Sequence, residues 1–204
     1  MSILNVLLRP DKLLVAVDTL AQDAQTGQQS QGAKLLLIPQ HNLVLACRGS
    51  AQFFLRIYEL CLQASFRADF TMEQLMAELG LVIDKVWPAY VEAADRAGIP
   101  RSDLHTELVL GGWSPQNDRM MATAYAKDAS GRGAVVQLLE GGLASPGEPL
   151  RGRPDSFEAA AVVEASRLQA VYLNDRSGRT VAGGRLLVAK LSDGLATVED
   201  LGAL

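Results

Sequence analysis

Apolar residues in the first fifty positions come in runs, not in alternation. Leu13-Leu14-Val15-Ala16-Val17, Leu35-Leu36-Leu37-Ile38 and Leu43-Val44-Leu45-Ala46-Cys47 are unbroken. A short continuous run of this kind suits a strand buried on both faces. Residues 2–8 read as another strand, joined to the first run by a turn at Arg9-Pro10-Asp11-Lys12; Pro presets the turn dihedral there and Asp bonds the backbone beyond it. Residues 34–39 and 43–48 form a second hairpin, turned by Gln40-His41-Asn42. Between the hairpins, residues 19–33 are polar and Gln-rich, an exposed connection too long for a tight turn.

The period then changes. Ser50 is placed to cap a helix over residues 51–66, with Phe53, Phe54, Ile57, Tyr58 and Cys61 on one face. Thr71-Met72-Glu73-Gln74 is a capping-box sequence for a second helix running to about Ala97. Pro88 inside it is expected to kink or divide it. Strands are expected at residues 106–113, 119–126 and 134–142, a helix at 156–169, and a last strand at 184–191. Strands, two helices, strands, helix, strand: this order predicts an α+β fold of two stacked, mainly antiparallel sheets with helices outside, a four-layer αββα sandwich. At 204 residues, the chain fits one such domain, 1–204.

Composition narrows the function classes. The chain is 49% hydrophobic and 21% charged, an ordinary globular balance. A net charge of -4 argues against a general nucleic-acid binder, which would carry a basic stripe. No apolar run approaches membrane-spanning length, and the N-terminus lacks the basic start of a signal peptide, so no membrane partner and a cytoplasmic location are expected. Cys47 and Cys61 have no metal-ligand spacing. They read as buried reduced thiols, and neither a metal nor a cofactor is expected.

Ser2, Asp18 and Lys34 are separated by sixteen residues and sixteen more, each at a strand end, and Gly49-Ser50-Ala51 follows the next strand. These residues and spacings resemble the proteasome β-subunit family and its simpler bacterial relatives, which are N-terminal nucleophile (Ntn) hydrolases. The resemblance is to a divergent bacterial type. It covers the first fifty residues well and the remainder loosely, with Gly111-Gly112-Trp113 similar to the family's strand–Gly-Gly–aromatic segment. It implies that Ser2, once Met1 is removed, is the nucleophile of a peptidase and that residues 19–33 line the substrate cleft. Lys34 would sit beside the Ser2 Oγ and Asp18 would hold Lys34 charged and oriented. A backbone N–H of Arg48 or Gly49 would form the oxyanion hole. An N-terminal hydroxyl nucleophile uses its own α-amine as base, whose pKa is near 8. A homo-oligomeric ring acting on peptides or unfolded proteins is implied as well, with an ATP-dependent unfoldase partner left open.

The chain departs from the family in three places. Ala144-Ser145-Pro146-Gly147 stands where the family has Gly-Ser-Gly, making Ser145 the candidate support for the nucleophile's amine. Arg179-Thr180-Val181-Ala182-Gly183-Gly184 keeps the glycines of Asp-x-x-Ser-Gly-Gly but has Arg179 for the Asp and Ala182 for the Ser. Arg179 is expected to bring a cation near the amine. Residues 148–155 are too few for the helix the family places there. The alternative is a catalytically inactive proteasome-fold assembly or interaction protein; a small-molecule amidase on the same scaffold is a third reading.

Overall fold

The computed structural model describes residues 2–192 and 194–204. The first apolar hairpin is β1 (Leu4–Arg9) and β2 (Lys12–Asp18), paired from Leu4↔Val17 to Arg9↔Lys12 across the turn at Pro10-Asp11. The polar connection folds into a small ribbon, β3 (Leu20–Gln22) against β4 (Gln29–Gln31). The second hairpin is β5 (Leu35–Ile38) and β6 (Leu43–Gly49), turned through Asn42 in the left-handed region.

Helix α1 (Ala51–Ala64) starts where the Ser50 Oγ accepts the Phe53 N–H. Helix α2 (Met72–Arg96) starts where the Thr71 side chain accepts the Gln74 N–H, so half of the expected capping box forms. Pro88 does not divide α2, which runs through it as one helix. Pro88 is exposed, while Ile83, Trp87 and Ala94 are buried in the adjoining core. Packing on both sides holds the helix across a position that lacks an N–H.

The second half supplies β7 (His105–Ser114), β8 (Arg119–Asp128), β9 (Val135–Leu138), β10 (Leu143–Ser145), α3 (Ala159–Ser177), β11 (Arg185–Ser192) and β12 (Leu195–Ala203). The strand expected at 134–142 is shorter than its apolar run: β9 stops at Leu138 and pairs with β8, and β10, beyond the expected span, pairs with β1. Helix α3 continues past Gln169 until Gly178, at φ 62°, ends it. A final strand, β12, follows the one expected to be last. A single 3₁₀ turn (Glu148–Leu150) occupies the stretch too short for a helix.

Two antiparallel five-stranded sheets result, β10-β1-β2-β11-β12 and β5-β6-β7-β8-β9. Between them lie Leu4, Val6, Leu13, Val15 and Val17 against Val44, Ala46 and Val109. Leu43, Leu45 and Cys47 point the other way, into a core with Phe53, Ile57, Leu79 and Trp87 of α1 and α2. Leu14, Ala16 and Val188 pack on Val162, Ala170 and Leu173 of α3. The unbroken runs are thus explained: both faces of β2 and β6 are inside. The four layers are α1 with α2, sheet, sheet, and α3. No described helix is long and apolar enough to cross a membrane.

Candidate active site

Ser2, the end of β2, the start of β5 and the end of β6 all fall at one end of the sandwich, because each hairpin sends its second strand back past the start of its first. Leu4 is the first residue of β1 to pair with β2, opposite Val17, so Ser2 and Ile3 precede the ladder and lie beside Asp18. The Ile3 N–H donates to Asp18 Oδ1 at 3.1 Å. Lys34 Nζ donates to the same Oδ1 at 2.9 Å, to Ser2 Oγ at 2.8 Å and to the Leu20 carbonyl. Asp18 is fully buried, and Ser2 and Lys34 nearly so. The three residues chosen by spacing are therefore one hydrogen-bonded cluster, and the three protons of the ammonium all have acceptors.

Asp18 has a further donor that sequence reasoning did not identify. The Gly183 N–H donates to Oδ2 at 3.1 Å. The loop carrying Gly183 is gripped by Asn174 of α3, whose Oδ1 accepts the Val181 and Ala182 N–H groups at 2.7 and 3.0 Å and whose Nδ2 donates to the Ala182 carbonyl at 3.0 Å. Gly184, at φ 77°, leaves no room for a side chain: a Cβ would meet Thr19 Oγ1 at 2.6 Å. Gly183, at φ 146°, and Gly184 are thus needed where the loop passes the end of β2. Ala182 is buried, and its backbone is what the loop uses. Arg179 is exposed and makes no hydrogen bond or ion pair with the described residues. No contact therefore brings it to the cluster.

Ser145 and Arg48 make side-chain contacts that the spacing did not predict. Arg48 reaches Ser2 through its side chain: Nε donates to the Ser2 carbonyl at 2.7 Å, and Nη1 donates to Glu107 Oε1 at 2.8 Å and to Ser145 Oγ at 2.7 Å. Ser145 Oγ in turn donates to Glu107 Oε2 at 2.5 Å. Sheet register makes this meeting, with Arg48 opposite Glu107 on β6 and β7, and Leu4 opposite Ser145 on β1 and β10. Gly49, at φ 121°, carries the chain out of β6 against the His105 carbonyl, where a Cβ would collide.

Cys47 and Cys61 are both buried free thiols, and burial pushes each up to about 12, with the Lys34 charge working against the rise at Cys47. They are not candidate nucleophiles. Among the described residues no group of three or more His, Cys, Asp or Glu could hold a metal ion. A cavity of about 580 Å³ opens at the opposite end of the sandwich, between Pro10, His41, Trp113 and Leu195, remote from Ser2. Met1, whose removal would free the Ser2 amine, lies outside the described residues.

No family model matches the sequence, and no curated protein matches it. Solved structures do match. Anbu from Hyphomicrobium sp. strain MC1, a proteasome-like Ntn-fold protein, superposes with a TM-score of 0.66 at 12% identity, over 98% of this chain and 87% of that one. At that identity the likeness is one of fold: the chain is an α+β sandwich of the Ntn type, with a proteasome-like architecture.

Proposed function

We propose that the chain is a proteasome-like Ntn peptidase subunit that cleaves peptide bonds with Ser2 as nucleophile after Met1 is removed. The observation that carries this reading is the Lys34 Nζ contact with Ser2 Oγ at 2.8 Å, backed by Asp18 at 2.9 Å. The freed Ser2 amine takes the Oγ proton, directly or through one water, as Oγ attacks the scissile carbonyl. The Lys34 charge favours the developing alkoxide, and Asp18 holds that charge in place. A backbone N–H of Arg48 or Gly49 donates to the oxyanion. The ammonium returns its proton to the leaving amine, and water then hydrolyses the Ser2 ester by the same base.

Assembly of several copies, with peptides or unfolded chains as substrate, belongs to the same reading. It is supported by exposed Leu81 on α2 and exposed Val135, Val136 and Leu138 on the edge strand β9, an apolar surface of the kind that marks association. Sedimentation of the wild type against Leu81→Glu tests it; a wild-type monomer refutes it. For the chemistry, the purified chain is weighed to establish loss of Met1 and then incubated with an epoxyketone, which needs both a free amine and Oγ. An adduct on Ser2, absent in Ser2→Ala and retained in Ser2→Thr, is expected. A chain lacking Met1 that forms no adduct refutes the peptidase reading.

The second reading, a catalytically inactive assembly or interaction protein, is favoured by two observations: Ser145 is committed to Arg48 and Glu107, and Ala182 has no hydroxyl to offer the amine. Peptide hydrolysis abolished by Ser2→Ala excludes it.

A further inference from the structure

Ser2 lies outside the strand ladder, which begins at Leu4. Whatever fixes the nucleophile's backbone must therefore come from side chains. Two of the three anchors on this segment are parts of the expected cluster: Lys34 on Ser2 Oγ and Asp18 on the Ile3 N–H. The third is Arg48, on the Ser2 carbonyl. The Arg48 guanidinium is planar and is itself fixed at two further points, Glu107 from the neighbouring strand and Ser145 from the other sheet. A planar fork held at three acceptors sets an orientation that a point charge on a flexible stem cannot. Its charge is matched by Glu107, so the second cation near Ser2 is neutralised as Lys34 is by Asp18.

From this geometry we infer that Arg48 and Glu107 are positioning residues for the Ser2 nucleophile. They clamp its carbonyl and so set the rotation of the residue that carries Oγ and the amine. Ser145 serves the same clamp as a bridge and does not act on the amine. The inference rests on the proposed peptidase reading for its effect on rate, but not for its effect on the backbone. Loss of the clamp leaves the Lys34–Asp18 pair intact and misplaces Oγ relative to it, an error of the size that costs about 100-fold in rate.

The test compares wild type, Arg48→Ala, Arg48→Lys, Glu107→Gln and, as a surface control, Arg56→Ala, which removes an exposed pair on α1. One readout is acylation of Ser2 by a β-lactone, followed by mass spectrometry as inactivation rate against inhibitor concentration. Arg48→Ala is expected to lower the maximal rate about 100-fold with the half-saturating concentration changed by less than about threefold. Arg48→Lys should not rescue it, and Glu107→Gln should fall between. The second readout is amide hydrogen exchange at Ile3 against Val15 and Val44 in the sheets. Arg48→Ala should speed exchange at Ile3 about tenfold with the sheet amides unchanged. If the wild type is not acylated, the peptidase reading fails and the clamp is still judged by Ile3. Unchanged Ile3 exchange in Arg48→Ala, or full rescue of either readout by lysine, overturns the inference. If Arg48→Ala does not fold, Glu107→Gln carries the test, and wild-type values for it in both readouts overturn the inference.

Discussion

Replacing Asp18 by Asn changes one charge and no shape, and its cost follows from the contacts. Asp18 is fully buried and accepts the Ile3 N–H, the Gly183 N–H and Lys34 Nζ on its two oxygens. Every neighbour is a donor, so an amide NH2 placed on either side faces another donor. Lys34, only 5% exposed, keeps the Ser2 hydroxyl and the Leu20 carbonyl, both neutral. Removing one partner of a buried pair costs about 3–5 kcal/mol. At about 2–4 °C per kcal/mol for a chain of this size, Tm should fall by about 6–20 °C.

Lys34→Met should cost less, because Asp18 retains two backbone donors. The double variant, Asp18→Asn with Lys34→Met, should recover part of the Asp18→Asn loss, since no uncompensated charge remains buried. Thermal and urea unfolding of the four proteins, followed by circular dichroism, gives the cycle. Asp18→Asn within about 2 °C of wild type, or Lys34→Met the more damaging of the two, would refute the reasoning.

Three other outcomes follow from particular contacts. Burial raises the Cys47 and Cys61 thiols to about 12, so above about pH 9 the unfolded chain releases these protons first and stability falls by about 1.4 kcal/mol per thiol per pH unit until about pH 12; below pH 9 they contribute no slope. Urea midpoints at pH 8, 9, 10 and 11 should show this decline, and a Cys47→Ala, Cys61→Ala variant that keeps the full slope would contradict the assignment. Phe53→Ala empties a site where Phe53 meets Trp87 edge-on at 4.9 Å and should cost about 3–5 kcal/mol in urea unfolding. Pro88→Ala, at an exposed position inside α2, restores a helical N–H and should raise stability by about 1–3 kcal/mol; a lower Tm would show that the proline sets a bend the packing needs.

What the sequence disclosed, and what it hid, divides by how residues come together. Asp18 and Lys34 were legible because each stands at the end of an apolar run near the start of the chain, where their spacing from Ser2 is a property of two hairpins. The unbroken runs at 13–17 and 43–47 announced strands covered on both faces, and the two cores on either side of β2 and β6 bear that out. Strand β12 was missed because LATVEDLGA is an edge strand, mostly exposed, with no unbroken apolar run to read. Strand β10 was missed because Leu143-Ala144-Ser145 is three residues long, too short to show a period, and only its pairing with β1 makes it a strand. The Arg48–Glu107–Ser145 contact has no local spacing at all, since only the β6–β7 and β1–β10 registers create it.

The same division bears on the departures at Arg179 and Ala182. In the resembling family an Asp and a Ser stand at those places, and their loss suggested a damaged site. Here the loop's hold on the cluster passes through backbone atoms: Asn174 grips the Val181 and Ala182 amides, and the Gly183 amide meets Asp18. A backbone donor is indifferent to the side chain at 182, and Asn174 lies eight residues upstream on a helix whose C-terminal turns the sequence pattern did not reach. The substitutions therefore leave the Asp18–Lys34–Ser2 geometry supported and remove only groups that would touch the amine. Any deficit they cause belongs to the protonation of that amine, so it should appear as a displaced pH–rate profile for Ser2 acylation, not as a loss of fold.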